Sequence, residues 1–238
     1  QQRISGIPLS YITKNREFFG IDFFVNEHVL IPRQESELLV EKVISFCKKQ
    51  KKTKFTIADI GTGSGALAIS IAKNLNNVNL IAIDISDKAL QIAKKNAKNI
   101  NVSTKISFLR SNLLENLKTP VDVIVANLPY ISTGEMHTLS LEVKKEPTIA
   151  LLGGEDGTDL ITKLIRQSCP CHFALRNVLF FLYCESQIPS EVRPPVVVTT
   201  SGSPSFLWMM GWMSISSSLS FLSAPNVTNG LAIRTKSF

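Results

Sequence analysis

The sequence predicts an α/β domain built on a doubly wound, mostly parallel sheet. Three observations predict it: four short runs of apolar and β-branched residues, helical-period segments between them, and a glycine-rich turn directly after the first run. The runs are residues 56–60 (TIADI), 80–85 (LIAIDI), 105–109 (KISFL) and 121–126 (VDVIVA). Continuous apolar runs of this length suit strands covered on both faces, as parallel strands are. Ligands of such sheets lie at the carboxyl ends of the strands.

The helices follow from periodicity. An amphipathic helix over about residues 35–49 precedes the first strand and buries Leu38, Leu39, Val43, Ile44 and Phe46. Two crossover helices, over 66–75 and 88–99, contain neither Gly nor Pro. The second begins at Ser86, a good N-cap, with Asp87 placed to favour the helix N-terminus. Its buried stripe is Ala89, Leu90, Ala93 and Ala97.

Composition divides the chain. Of 238 residues, 44% are apolar and 19% charged, enough to bury a core and too apolar for wholesale disorder. The net charge of +7 favours acidic or phosphate-bearing partners. The Lys48, Lys49, Lys51 and Lys52 run reads as a solvated helix end. Residues 1–31 read as a linker or hairpin segment, and 32–167 as the sheet domain. Residues 168–238 hold two acids, four basic residues, both Trp, three of the four Met and thirteen Ser, with no charged side chain from Pro194 to Ile233.

That tail keeps neither helical nor strand periodicity. It is expected to derive from a wrong reading frame or retained non-coding sequence, ahead of a poorly patterned continuation or a Ser-interrupted membrane span over 205–224. Residues 178–183 and 196–200 have strand-like composition and could fill part of the place beside the fourth strand. Cysteines 47, 169, 171 and 184 form no CxxC and no regular framework, so a reducing, cytoplasmic setting is expected, with no metal, although Cys169, Cys171, His172 and Cys184 could be read as a metal knuckle. Neither a leader peptide nor a membrane anchor is expected from residues 1–167.

The chemistry concentrates in two turns. After the first strand comes Asp59-Ile60-Gly61-Thr62-Gly63-Ser64-Gly65, where missing Cβ atoms let a ligand approach the backbone. Asp84 closes the next strand about 20 residues on, where a carboxylate can accept both ribose hydroxyl protons of a nucleotide-like ligand. The fourth strand ends in Asn127-Leu128-Pro129-Tyr130. An amide or exocyclic amine nitrogen is a poor nucleophile because its lone pair is delocalised, so a site must hold the NH2 rigidly toward a methyl donor. The Asn127 side-chain oxygen can accept one hydrogen and the Leu128 carbonyl the other, with Pro129 biasing Leu128 toward an extended backbone. Tyr130 can cover the planar group and turn its ring toward the sulfonium of S-adenosylmethionine.

These residues resemble the release-factor glutamine methyltransferases (the HemK or PrmC family). The similarity runs, in order, through residues 6–24 (GIPLSYITKNREFFGIDFF), 29–37 (VLIPRQESE), 57–65 (IADIGTGSG), 124–131 (IVANLPYI) and 146–159 (EPTIALLGGEDGTD). The resemblance implies a Rossmann-like, S-adenosylmethionine-dependent methyltransferase. Its substrate would be the glutamine amide of the Gly-Gly-Gln motif in class I peptide-chain release factors. It further implies that Asp59, Gly61, Thr62, Gly63, Ser64 and Gly65 cradle the methionine part of the cofactor. Asp84 and Ile85 would meet the ribose side, Asn112 and Leu113 the adenine. Asn127 to Tyr130, with Arg33, would meet the substrate.

The family usually has Pro at Leu128 and Gln34 and an acid at Asn112; at Leu128 only the backbone carbonyl is needed. The family's N-terminal helical domain is not found before Gln1, and its later strands are not recognisable after Arg166, so the sheet is expected to be incomplete beside its fourth strand. Two alternatives stand beside this reading. One is an adenine-amine methyltransferase acting on RNA or DNA, which shares the Asn127 motif; the other is a non-catalytic fragment.

Overall fold

In a computed structural model the chain is described over residues 3–168. The description continues in four further backbone strands, 179–182, 196–200, 207–210 and 233–234. The metal-knuckle residues Cys169, Cys171, His172 and Cys184, and the possible span over 205–224 apart from one of those strands, lie outside the described residues. Among the described residues no helix is long and apolar enough to cross a membrane.

A short helix α1 (Leu9–Thr13) leads into a hairpin of β1 (Asn15–Phe18) and β2 (Ile21–Phe24). A 3-10 turn over Gln34–Ser36 opens α2 (Glu37–Lys49). Then follow β3 (Phe55–Ile60), α3 (Ala66–Asn74), β4 (Val78–Asp84), α4 (Asp87–Asn99), β5 (Ile106–Arg110) and β6 (Val123–Ala126). Beyond β6 come β7 (Ile131–Ser132), β8 (Leu152–Gly154) and α5 (Asp159–Gln167). The last strands are β9 (Leu179–Leu182), β10 (Val196–Thr200), β11 (Leu207–Met210) and β12 (Ile233–Arg234).

The large sheet has the order β12-β11-β10-β9-β6-β3-β4-β5, and its segment from β9 to β5 is parallel throughout. The chain winds outward from β3 through β4 to β5, then returns to β6 on the other side of β3. This reversal opens a crevice at the carboxyl ends of β3 and β6. The predicted strands and crossover helices are all present, with ends displaced by one or two residues. The expectation of a gap beside the fourth strand is corrected: β9 pairs parallel with β6, from Val123 opposite Leu179 to Ala126 opposite Leu182. The strand-like runs in the tail therefore satisfy the backbone groups that an edge strand would leave open.

Alternation along the strands divides the interior. Ile57, Leu80, Ala82, Val123 and Val125 face one apolar cluster with α2, α3 and α4, while Ala58, Ile60, Ile81, Ile83, Ile124 and Ala126 face another with Leu113, Leu114, Leu117 and Leu164. Tyr11, Phe18, Ile21 and Phe23 belong to the first cluster, so the hairpin packs on the same interior as the sheet. Each large side chain fully buried there contributes about 1.5–3 kcal/mol.

Helix α2 buries Leu39, Val40, Val43 and Cys47. Leu38, Ile44 and Phe46, expected inside, are only partly covered. The i, i+4, i+8 line through Leu39, Val43 and Cys47 fixes the inward face, and Leu38 lies off it. Ser86 caps α4 as expected, accepting from the Ala89 N–H at 3.3 Å.

Candidate active site

Parallel register sets the geometry. Ile60, the last residue of β3, stands opposite Ala126, the last of β6, so Gly61 and Asn127 leave the sheet on adjacent strands at the same level. A Cβ added to Gly61 would come within 3.3 Å of Leu128 Cδ2. The glycine turn and the Asn127 turn thus line one crevice, as the two sequence motifs require.

The glycine turn is held from below. Gly61 and Thr62 N–H groups both donate to the Ile83 carbonyl, at 2.8 and 2.9 Å, and Gly65 N–H donates to Thr62 O at 2.8 Å. Gly61, Gly63 and Gly65 all have positive φ. Gly65 has a second constraint, since a Cβ there would reach 2.8 Å from Ile69 Cδ1 and 3.2 Å from Ala93 Cβ. It is the close-packing residue between the turn, α3 and α4.

Two carboxylates brace the turn. Asp59 is fully buried; its Oδ2 accepts from Thr62 Oγ1 at 2.7 Å and from the Ala68 N–H at 3.2 Å. Burial lifts this carboxyl to about 7, against the opposing pull of those hydrogen bonds. Asp59 Oδ1 has no hydrogen-bond partner among the described residues. Asp84 accepts from Gly63 N–H through Oδ2 and from Ser86 N–H through Oδ1, each at 2.9 Å. Burial also raises its carboxyl above the ordinary range. Each oxygen keeps a second lone pair, so Asp84 can still accept from a ligand. Ile85 beside it is 45% exposed, an apolar side chain left open at the crevice rim.

Asn112 donates through Nδ2 to Glu115 Oε1 at 3.0 Å, which leaves its carbonyl oxygen available. Leu113 is buried with φ +53, turning the chain beneath that side of the crevice.

Asn127 Nδ2 donates to Ser36 Oγ at 3.0 Å, across 91 positions of sequence. Ser36 is buried, at 3% exposure, at the end of the 3-10 turn that opens α2. Sequence reading passed over this residue; its signal was a small polar side chain inside the 29–37 motif at the start of an amphipathic helix.

Behind the Asn127 turn, β7 and β8 pair in parallel, with Ile131 N–H donating to Leu151 O at 3.0 Å. A Cβ on Gly153 would come within 2.7 Å of Pro129 O and Tyr130 Cα, so the 153–157 loop presses directly on the backbone of the motif. Tyr130 is partly buried against the cluster that contains the hairpin.

Arg33 is committed to a pair. Its guanidinium lies 2.5 Å from Glu146 Oε1, while Glu146 Oε2 accepts from Ile31 N–H at 2.9 Å. Glu146 is buried, so the pair fastens the 31–36 segment to the chain just before β8. Among the described residues no group of three or more His, Cys, Asp or Glu could hold a metal ion.

Asn96, also unforeseen, links three parts. It is buried at 1% exposure, accepts from Phe24 N–H at 2.9 Å, and donates to Phe24 O at 3.0 Å and to Ser64 O at 2.8 Å. It lies on the inward stripe of α4 between Ala93 and Ala97, and a polar residue in that stripe was the available signal.

Comparison with known proteins agrees with this architecture. Residues 40–148 match the family model described as ribosomal protein L11 methyltransferase (PrmA). The release factor glutamine methyltransferase of Moorella thermoacetica is 42% identical over 159 residues, covering 66% of this chain and 56% of that protein. That of Rhodopirellula baltica is 42% identical over 173 residues, covering 71% and 58%. The chain therefore spans little more than half the length of these curated relatives. Among solved structures, the human METTL16 catalytic domain in complex with MAT2A 3′UTR hairpin 1 superposes with a TM-score of 0.54 at 19% identity, covering 69% of this chain and 61% of that one. This likeness is one of fold. The chain is a homologue, over about two thirds of its length, of the release factor glutamine methyltransferases, and its described core has the methyltransferase fold.

Proposed function

We propose that the chain transfers a methyl group from S-adenosylmethionine to the side-chain amide nitrogen of the glutamine in the Gly-Gly-Gln motif of class I release factors. The observation that carries this reading is the adjacency of the two turns, with Gly61 against Leu128 and next to the Asn127 position at the carboxyl edge of one sheet.

The residues present fit the cofactor. Gly61, Gly63 and Gly65 leave the backbone of the turn free of side-chain bulk for a ligand, and the buried Asp59 braces that turn from beneath. Asp84 suits the ribose hydroxyls, Ile85 an apolar ring face, and Asn112 with Leu113 the adenine edge. When bound, S-adenosylmethionine supplies an electrophilic methyl on a positive sulfur that is already a good leaving group.

The chain's own residues then have to hold an amide NH2. Asn127 Oδ1 accepts one hydrogen and the Leu128 carbonyl the other, which removes the rotational freedom of the acceptor and points its nitrogen at the crevice. Tyr130 covers the planar group. Arg33 acts on this arrangement through Glu146, by fixing the segment that carries Ser36. The catalytic unit comprises residues 32–167, with 1–31 as its hairpin segment, and β9 to β12 within residues 168–238 continue its sheet.

The test is direct. The purified chain is incubated with methyl-labelled S-adenosylmethionine and either an intact class I release factor or a stem-loop RNA. Label on the Gly-Gly-Gln glutamine, reduced at least about 100-fold in Asn127→Ala, is the expected result. Label on the RNA alone, or on neither, overturns the reading.

A further inference from the structure

We infer that Ser36 is a positioning residue for methyl transfer, the group that anchors the inner end of the Asn127 carboxamide. This rests on the reading of Asn127 as the holder of the substrate amide.

A carboxamide has two ends of nearly equal size and opposite polarity. With its oxygen outward, Asn127 accepts from an acceptor NH2. Turned through half a rotation, it sets its own N–H groups against those of the substrate, donor against donor. In this structure a hydroxyl, able to accept or to donate, engages the nitrogen end. Ser36 Oγ does so at 3.0 Å, and no described residue donates to Asn127 Oδ1, so that oxygen is the end left for a ligand.

The hydroxyl is itself well placed to act as a fixed anchor. Ser36 is buried, its N–H donates to the Arg33 carbonyl at 3.1 Å, and the adjoining backbone is tied to Glu146 through Arg33 and Ile31. A side chain braced in this way loses little further freedom when substrate binds. Ser36 touches neither the reacting nitrogen nor the methyl donor; it acts only through Asn127. Its removal should lower the rate of transfer while leaving the glycine turn intact.

Threonine and valine have nearly the same shape and differ in the hydroxyl, which separates hydrogen bonding from packing. The experiment measures kcat and KM for an intact class I release factor, cofactor affinity by calorimetry, and Tm, for the full chain and its Ser36→Thr and Ser36→Val variants. Ser36→Thr is expected to stay within about 3-fold of the parent in kcat, and Ser36→Val to fall about 10- to 100-fold. Cofactor affinity should match across all three. Equal kcat in the Thr and Val variants overturns the assignment. So does a loss in Ser36→Val that tracks a loss of cofactor affinity. Failure of the parent chain to methylate any release factor, with cofactor binding retained, instead overturns the function proposed above and this inference with it.

Discussion

Asn96 and Ser64 are joined by a 2.8 Å hydrogen bond that ties the middle of the glycine turn to the hairpin, because the same carboxamide pairs with both backbone groups of Phe24. Three of its hydrogen-bonding positions are used, in a site with 1% exposure. Replacement by alanine leaves Ser64 O and the Phe24 groups without this partner. Asn96→Ala should cost about 2–4 kcal/mol in stability and weaken S-adenosylmethionine binding. Denaturant melts and calorimetry check both; a variant that loses stability but binds cofactor with unchanged affinity would show that the clasp does not shape the turn.

The buried carboxyl of Asp59 makes stability depend on pH. Its folded pKa is raised from 3.8 to about 7, so the folded state binds more protons than the unfolded one between those values. Its contribution is complete below about pH 4 and is lost as pH rises through 7. Asp84 is shifted in the same direction by burial. Relative to Asp59→Asn, the ligand-free parent should therefore lose stability between about pH 4 and about pH 7, by an amount on the order of 4 kcal/mol at most. The residual slope of the variant belongs in part to Asp84. A stability difference that does not change across this range would contradict the assignment.

Gly157 has φ +74, and a Cβ there would fall on the Tyr130 carbonyl oxygen. Backbone, unlike the end of a flexible side chain, cannot step aside cheaply. Gly157→Ala should displace the Pro129–Tyr130 backbone and cost about 2 kcal/mol or more. The expected kinetic signature is a fall in kcat for release-factor methylation with cofactor affinity within about 3-fold of the parent. Unchanged kcat would mean that the loop does not support the motif.

Ile85, 45% exposed beside Asp84, is the apolar side chain available to an adenosyl ring or ribose edge. Ile85→Ser should weaken cofactor binding about 5-fold through lost apolar contact, with stability altered by less than about 0.5 kcal/mol. Calorimetric titration with S-adenosylmethionine gives the first quantity and a thermal melt the second. An unaltered affinity would remove Ile85 from the cofactor site.

The parts of this molecule that are local in sequence were legible in it. The strands through Asp59, Asp84 and Ala126, the glycine turn and Ser86 as a cap each follow from a few consecutive residues and recur in the structure. The partners of those parts were not. Ser36 meets Asn127 across 91 positions and Asn96 meets Phe24 across 72, and no periodicity encodes which distant polar group faces which. Gly153 and Gly157 stand out in the sequence only as members of the 146–159 motif, and their closeness to Tyr130 gives them a steric reason. The 178–183 run is a candidate for the place beside the fourth strand on composition, but its parallel register on β6 depends on a pairing that short apolar runs do not specify.

Phe18 and Phe23 meet edge to face at 6.1 Å, and with Tyr11 they complete an interior whose other walls are supplied by later segments of the chain. During synthesis the hairpin emerges before the sheet and helices it packs against. Its clasp on the glycine turn closes only once residue 96 has emerged, so a nascent chain halted ahead of α4 would leave these aromatic rings without the helix that joins them to that turn.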